Sequence, residues 1–108
     1  ITFLVIAAVA IIIAAFALQN SGNNKLSGQY TAQTAFSINA IAFDNNGNFV
    51  RDANAFGEWE TVGSGTYSLT GNSLILYSSD GRVWEFYYDR KNDTMMQVGT
   101  SDIYVRTN

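Results

Sequence analysis

The sequence predicts an α+β fold class, in which a long N-terminal hydrophobic α-helix precedes an antiparallel β-meander that forms a sandwich or a small barrel. Three observations predict it. The first 18 residues carry no charge, glycine or proline. All six Lys/Arg and all nine Asp/Glu lie from Lys25 onward. From the same point, short runs of aromatic and β-branched residues alternate with turn residues, which is typical of hairpins. The chain therefore divides into residues 1–24 and residues 25–108.

The N-terminal stretch ITFLVIAAVAIIIAAFAL is apolar on every side of a helix. As a helix it spans about 27 Å, close to the hydrocarbon thickness of a bilayer. A helix that is apolar all round needs burial on all sides, in lipid or in protein. The polar residues 20–24 that follow, with Gly22 among them, predict a helix stop and a joint.

The two faces of this predicted helix differ in side-chain size. Small residues at spacings of three and four let helix backbones approach closely, so we expect the helix, Ile1 to about Gln19, to bundle with copies of itself. The general frequency of alanine in helices is an alternative explanation of this stripe of small residues. The small stripe contains Ala7, Ala10, Ala14 and Ala17, and the opposite stripe contains Val5, Val9, Ile12, Ile13 and Phe16.

Three interpretations of the N-terminal segment compete. An uncleaved signal peptide needs a basic region before the apolar stretch, and this chain has none there. A plain membrane anchor normally has basic flanks and interfacial Trp or Tyr, whereas Lys25 is the nearest charge. A segment whose basic leader has been removed by a peptidase accounts for both the missing basic region and the missing methionine. We therefore expect a processed segment.

An apolar helix at a processed N-terminus, a short polar joint and a β-rich head together resemble type IV pilins. Bacterial members usually carry glutamate at the fifth mature position, where this chain has Val5, so the segment is more similar to archaeal pilins and archaeal flagellins. The resemblance implies a homopolymer held by the N-terminal helix, membrane-embedded before assembly. It implies an extracellular filament with β heads outward and a role in surface adhesion.

The head, residues 25–108, contains nine candidate strands separated by turn sequences such as DNNGN and SSDG. Asn-Gly and Asp-Gly pairs favour tight hairpins because the central residues must accept positive φ. Strands that recur every eight to twelve residues predict an antiparallel sandwich or small barrel. The candidates are 28–36, 37–43, 48–51, 58–62, 65–69, 73–77, 82–88, 94–98 and 103–106.

Alternation along these strands predicts which side chains share a face. In RVWEFYY, Trp84, Phe86 and Tyr88 lie together, opposite the face that carries Tyr87. The stretch 41–88 also resembles small lipocalin-like secreted domains of bacteria and archaea. This second resemblance implies an alternative function, a membrane-anchored extracellular binding module. Tyr87, Tyr88 and Tyr104 are candidates for an exposed adhesive patch, although core or subunit packing is the better interpretation.

The composition excludes several classes of function. The chain has no cysteine and no histidine, which removes the commonest catalytic base and transition-metal ligand. A net charge of −3 offers no basic face for nucleic acid. The segment DNNGN at 44–48 departs from calcium-loop spacing and predicts a hairpin turn. Glu58 and Glu60 are expected to be surface charges on either side of a core Trp59. We expect no enzyme activity, cofactor or metal.

Asn92-Asp93-Thr94 matches the acceptor sequence for N-glycosylation and falls in a predicted turn. Such triplets also arise by chance in chains rich in Asn and Thr. The sequence therefore predicts Asn92 as a candidate modification site, and it identifies no surface target for the head.

Overall fold

A computed structural model describes residues 25–107, and within this range the chain forms eight β-strands and no helix. Each strand pairs antiparallel with the next, and β8 pairs back with β1, so the sheet closes into a barrel whose strand order follows the chain. The strands are β1 (Gly28–Gln33), β2 (Ser37–Phe43), β3 (Asn48–Ala55), β4 (Glu58–Thr70), β5 (Ser73–Ser78), β6 (Val83–Asp89), β7 (Thr94–Gln97) and β8 (Ile103–Arg106).

The predicted α+β fold class is wrong, because the described residues form an all-β closed barrel. Of the two β architectures that the sequence left open, the barrel is the one observed. No helix within residues 25–107 is long and apolar enough to span a bilayer. The predicted N-terminal helix lies outside the described residues, and so do its assembly positions, Val5, Ala7, Val9, Ala10, Ile12, Ile13, Ala14, Phe16 and Ala17.

The barrel has two distinct ends because successive strands run in opposite directions. The upper end carries the loops that follow β1, β3, β5 and β7. The lower end carries the loops that follow β2, β4 and β6, together with residues 25–27, through which the chain joins β1. The N-terminal segment therefore meets the barrel at its lower end.

Side chains that alternate inward fill the barrel interior. Trp84, Phe86 and Tyr88 share one face as predicted, and this face points inward, while Tyr87 lies on the outer face, half exposed. Edge-to-face aromatic pairs, such as Phe86 with Tyr104 at 5.5 Å between ring centroids, pack this interior. The largest fully buried side chains are Tyr30, Tyr104, Phe43, Phe49, Phe86, Ile41, Leu69, Leu74, Leu76 and Met95.

The longest strand, β4, joins the two candidate strands 58–62 and 65–69 across residues 63 and 64. A register shift opposite Arg51 and Asp52 leaves Val62 as an extra residue, so a β-bulge absorbs the irregularity. The glycines are required by close approach rather than by a turn. A Cβ at Gly63 would lie 2.8 Å from Cη2 of Trp84, and one at Gly65 would lie 2.1 Å from the carbonyl oxygen of Tyr77.

The upper part of the β3–β4 hairpin lacks a strand neighbour on its β5 side. Residues 52–55 of β3 still pair with β2, whereas the ladder between β4 and β5 begins only at Gly65. At the tip of this hairpin Phe56 is 94% exposed, and Phe36 in the neighbouring β1–β2 loop is 81% exposed. We call this part of the hairpin, residues 52–61, the overhang. It makes the upper end taller on one side than on the other.

We expect Gly65→Ala to destabilise the barrel by about 3 kcal/mol or more, because the new methyl group meets a backbone carbonyl that cannot rotate away. Urea unfolding followed by circular dichroism measures the effect. Thr66→Ala is the matched control, since Thr66 is exposed on the adjacent position of the same strand; we expect a change within about 0.5 kcal/mol. Equal stability of the two variants would contradict the close approach of β4 and β5.

Candidate functional site

An arginine lies inside the upper part of the barrel. Arg51 follows the inward-facing Phe49 by two residues on β3, so strand alternation turns its side chain inward as well. Only 8% of the residue is exposed. Its guanidinium carbon lies 4.7 Å from the ring centroid of Trp84 and 5.7 Å from that of Phe86, within range of cation–π attraction. The aromatic rings of β6 therefore hold the guanidinium group.

The hydrogen bonds of Arg51 go to neutral partners only. Its Nη2 donates to Oε1 of Gln97 at 2.9 Å and to the hydroxyl of Tyr104 at 3.0 Å. Its Nε is buried and has no partner. Among residues 25–107, no carboxylate oxygen lies within 4 Å of the guanidinium nitrogens. Asp52, the next residue in sequence, is also buried, and its Oδ1 has no hydrogen-bond partner within the described residues.

Ser78 and Trp84 complete this cluster. The hydroxyl of Ser78 is buried and makes no hydrogen bond of good geometry within the described residues, but it lies close enough to the Asp80 carboxylate to help Arg82 lower the pKa of that group. The position that a Cβ of Gly63 would occupy lies 3.0 Å from Oγ of Ser78 and 2.8 Å from the Trp84 indole. Gly63 is also the cross-strand partner of Arg51. We call Arg51, Gly63, Ser78, Trp84 and Gln97 the upper cluster.

The lower end is closed by a second polar group of residues centred on Asp93. Its Oδ1 accepts hydrogen bonds from the hydroxyls of Tyr30 at 2.5 Å and Tyr88 at 2.7 Å, and its Oδ2 pairs with Nε of Arg106. Arg106 also donates from Nη2 to the Tyr30 hydroxyl at 2.7 Å and from Nη1 to the carbonyl of Ser27 at 2.8 Å. The buried polar atoms at this end therefore have partners of matching charge and donor character.

The environment of Asp93 keeps it ionised and keeps the tyrosines neutral. Burial acts to raise the pKa of Asp93, but the hydrogen bonds from Arg106, Tyr30 and Tyr88 outweigh it and lower that pKa below its usual value. Burial, followed by the hydrogen bond to Asp93, raises the pKa of Tyr30 and of Tyr88. At neutral pH the group of residues centred on Asp93 thus carries one carboxylate, one guanidinium and two phenols.

The two ends differ in how far their polar atoms are satisfied. Within residues 25–107, three buried side-chain atoms lack a hydrogen-bond partner: Nε of Arg51, Oδ1 of Asp52 and Oγ of Ser78. Two of them belong to the upper cluster, and the third is on the next residue of β3. Buried polar atoms are nearly always hydrogen-bonded in folded proteins. The upper cluster is therefore the candidate functional site.

The predicted glycosylation residue lies at the opposite end of the barrel from this cluster. Asn92 is exposed in the lower loop between β6 and β7, and its amide nitrogen donates to Oδ2 of Asp89 at 2.8 Å. Its modification remains a prediction. An adhesive patch that includes Tyr88 and Tyr104 is excluded, because both are buried in the barrel interior. The predicted hairpin turn at 44–48 is confirmed, with Asp44 accepting backbone N–H bonds from Asn46 and Asn48 at 2.9 Å.

Sequence reasoning did not identify the upper cluster. A signal existed in NFVRDANA, where strict alternation after an inward Phe49 places Arg51 on the core face. An arginine on a core face is rare unless it is paired. Its partners on β6 and β7 lie more than thirty residues away, so the convergence with Trp84 and Gln97 depended on the closed topology.

Comparison with known proteins gives no assignment for the chain. The scan against protein-family models found no match, and neither the search of curated proteins nor that of solved structures found a similar chain.

We expect Asp93→Asn to destabilise the barrel by about 1–3 kcal/mol at pH 7, because it removes the charge that partners Arg106 and two buried hydroxyls. Asparagine tolerates the positive φ of 55° at this position, so the backbone is not strained. Thermal unfolding of the two proteins from pH 7 to pH 2 measures the difference, and Glu85→Gln on the exposed outer face is the control for loss of one charge.

The pH dependence of that difference follows from the lowered pKa of Asp93. A carboxylate whose pKa is lower in the folded state stabilises fully above its unfolded pKa of about 3.9. This contribution is lost as the pH falls through the lower folded value. The stabilities of the wild type and Asp93→Asn should therefore converge below about pH 4. A difference that stays constant down to pH 2 would contradict the role of the charge.

Proposed function

We propose that the chain is an extracellular binding module, held at the cell surface by its apolar N-terminal segment, with its ligand site at the upper cluster. The observation that carries this proposal is the contrast between the two ends. The polar groups centred on Asp93 satisfy one another, whereas the upper cluster buries a guanidinium that has no carboxylate of the described residues within 4 Å and leaves Nε of that guanidinium without an acceptor. Burying a charged group in this way costs free energy unless a ligand supplies the missing opposite charge.

The packed interior restricts what such a module binds. Ten large side chains are fully buried inside the barrel, so the interior supports no role as a carrier that encloses a large apolar ligand. Among lipocalin-like modules, the proposal therefore keeps those that bind a ligand at the end of the barrel and not those that enclose one inside it. A ligand is expected to engage the upper cluster at the end of the barrel and to be small, because Trp84 and Gly63 are in close contact there.

The position of the N-terminal segment supports presentation of the upper end. The segment joins the barrel at the lower end, where the Tyr67 hydroxyl accepts the backbone N–H of Leu26 at 2.9 Å and lies 2.7 Å from the carbonyl oxygen of Asp44. Burial raises the pKa of Tyr67 to about 12, so this hydroxyl keeps its proton at physiological pH. A barrel tethered at this end directs the upper cluster and the overhang away from its support.

A fragment screen by two-dimensional NMR tests the binding function. The isotope-labelled full chain in a mild detergent micelle is mixed with neutral, acidic and basic fragments, and we expect at least one class to shift the backbone amides of Arg51, Gly63, Ser78 and Gln97. Amides of the lower loop around Asn92 serve as the internal control. Shifts that are absent from the upper cluster for all three classes would contradict a ligand site there.

A second candidate function is the subunit of an extracellular type IV pilus-like filament with a role in adhesion. The run of eighteen apolar residues favours it, since such a segment hides well over 1,000 Å² of apolar surface when chains associate. In this case the barrel is the outward-facing head and the partner is a second copy of the chain. In this arrangement the chains assemble through the N-terminal segment, and the upper end of the barrel faces solvent.

Salt and detergent distinguish the two candidates. The segment carries no side-chain charge, so filaments should persist in molar salt and over a wide pH range, and should dissociate in detergent or on strong heating. Negative-stain microscopy of sheared cell surfaces before and after each treatment measures this. An anchored module should instead appear only as single subunits after mild detergent extraction. Filaments that dissolve into monomers in high salt alone would rule out the assembly model.

A further inference from the structure

We propose that the upper end carries a second binding site, a cleft between the β1–β2 loop and the tip of the β3–β4 hairpin, and that this cleft binds a neutral sugar ring. We call this space the tip cleft. It shares no residue with the upper cluster, so the inference does not rest on the function proposed there. The expected ligand is a pyranose whose hydroxyl groups are equatorial, as in glucose.

The tip cleft is open to solvent and has a volume of about 260 Å³. One wall is the β1–β2 loop with the first residues of β2, and the other is formed by Asn54 and Phe56 of the overhang. None of the eight described residues that line it carries a charge. Typical small-molecule sites measure about 300–1,000 Å³, so this cleft suits a ligand of one ring better than an extended one. The lining therefore favours a small uncharged ligand.

Strand register places two amide side chains on either side of an aliphatic one. Gln33 of β1 lies opposite Ile38 of β2, and Ile38 lies opposite Asn54 of β3. Side chains of directly opposed residues share a face of the sheet. This is the outer face, because Ile41, three residues beyond Ile38, points into the core. Neighbouring strands are about 4.8 Å apart, so the Cα atoms of Gln33 and Asn54 lie ~10 Å apart across Ile38.

Both amides are available to a ligand. Within residues 25–107, the side chains of Gln33 and Asn54 donate and accept no hydrogen bond. Each amide has an NH₂ donor and a carbonyl acceptor, and a hydroxyl group can donate and accept as well. Adjacent hydroxyls of one sugar ring can therefore bond to an amide in both directions. A carboxylate or an ammonium group could use only half of each amide.

Phe56 is the least explained side chain of the upper end. The hairpin tip is the two-residue sequence Phe56-Gly57, closed by the pair Ala55 and Glu58. Both tip residues have positive φ, 57° and 86°, a conformation that favours Asn, Asp or Gly and is strained for a bulky side chain. Phe56 is also 94% exposed, so no packing within the described residues compensates. Contact with an apolar surface of a ligand would account for a phenylalanine here.

The opposite wall is held in place before any ligand binds. In the β1–β2 loop, the N–H of Thr34 donates to the carbonyl of Ser37 at 2.8 Å, and the N–H of Ser37 donates to Oγ1 of Thr34 at 3.1 Å. These bonds fix the loop that presents Phe36, which borders the cleft and is 81% exposed. A wall that is already ordered loses less conformational freedom on binding.

A sugar fits the tip cleft better than an extended peptide does. Extended peptides commonly bind by adding a strand to a free sheet edge. At the floor of the cleft, β2 is paired with β1 on one side and with β3 on the other, so no free edge is offered there. A pyranose with equatorial hydroxyls presents C–H groups on both faces of the ring, and such groups are attracted to the negative face of a phenyl ring. The cleft supplies phenyl groups and amides together.

The test is a two-dimensional NMR titration of the isotope-labelled full chain in dodecylphosphocholine micelles, because that headgroup contains no sugar. The probes are cellotetraose, a β-linked glucuronate tetramer with one carboxylate on each ring, and an uncharged blocked pentapeptide of glycine and leucine. We expect cellotetraose to cause saturable shifts of the side-chain NH₂ signals of Gln33 and Asn54 and of the backbone amide of Phe36. The other two probes should bind at least about fivefold more weakly, as for loss of one hydrogen bond.

Phe56→Asn separates binding from folding. Asparagine tolerates positive φ, so this variant should have a higher thermal midpoint than the wild type, yet it should bind cellotetraose about fivefold more weakly through loss of the aromatic contact. Val98→Asn is the matched control, because Val98 is exposed on another loop of the upper end; its affinity should be unchanged. Asn54→Ala should also weaken binding about fivefold. If Asn54→Ala does not fold, Gln33→Ala at an exposed position takes its place.

Four outcomes would overturn the assignment. Wild-type affinity in Phe56→Asn would remove the argument from the strained tip. The glucuronate tetramer binding as tightly as cellotetraose would exclude a site for neutral sugars, and tighter binding of the pentapeptide would identify a peptide site instead. Shifts confined to Gly63, Ser78 and Gln97 would place the ligand at the upper cluster. Silence of the tip cleft towards all three probes would overturn this proposal and leave the function proposed for the upper cluster to its own fragment screen.

Discussion

The barrel depends on a short seam between its first and last strands. β1 and β8 share two residue pairs, Tyr30 with Arg106 and Thr31 with Val105, whereas β1 and β2 share six. Asp93 strengthens this seam from the loop below, because both Tyr30 and Arg106 bond to its carboxylate. Without this closure the sheet would present two long edges, and the interior aromatic residues would lose one wall.

Unequal strand lengths then give the barrel its asymmetry. β4 has 13 residues, while β7 and β8 have four each, so the wall is high beside the overhang and low beside the seam. The bulge at Val62 and the glycines at 63 and 65 allow β4 to pass close to Trp84 and Tyr77 along this high wall. The upper cluster forms where these features meet. The unpartnered donors are thus a product of topology as well as of composition.

The β-strands were predictable from the sequence to a large extent, and the site was not. Local alternation in RVWEFYY correctly placed Trp84, Phe86 and Tyr88 on one face, and DNNGN correctly predicted a hairpin. The candidate strands broke at residues 63 and 64, although β4 is continuous there, because a glycine required by close packing and a glycine required by a turn look alike in one sequence.

The upper cluster draws on β3, β4, β5, β6 and β7, and the pairing of distant strands cannot be read from periodicity. The fold class failed for a different reason. The apolar N-terminal segment dominated the prediction, and it lies outside the described residues, which are β-structure and turns alone.

The single hydroxyl of Tyr67 has a mechanical consequence for a tethered barrel. It connects the backbone of Leu26, just before β1 begins, to the backbone of Asp44 in the β2–β3 loop. Tension applied through the residues that precede Lys25 would reach this clamp first and would be shared between β4, which carries Tyr67, and the β2–β3 loop. The six cross-strand pairs of β1 and β2 would bear the load only after the clamp had opened. The first resistance to pulling therefore comes from one buried phenol.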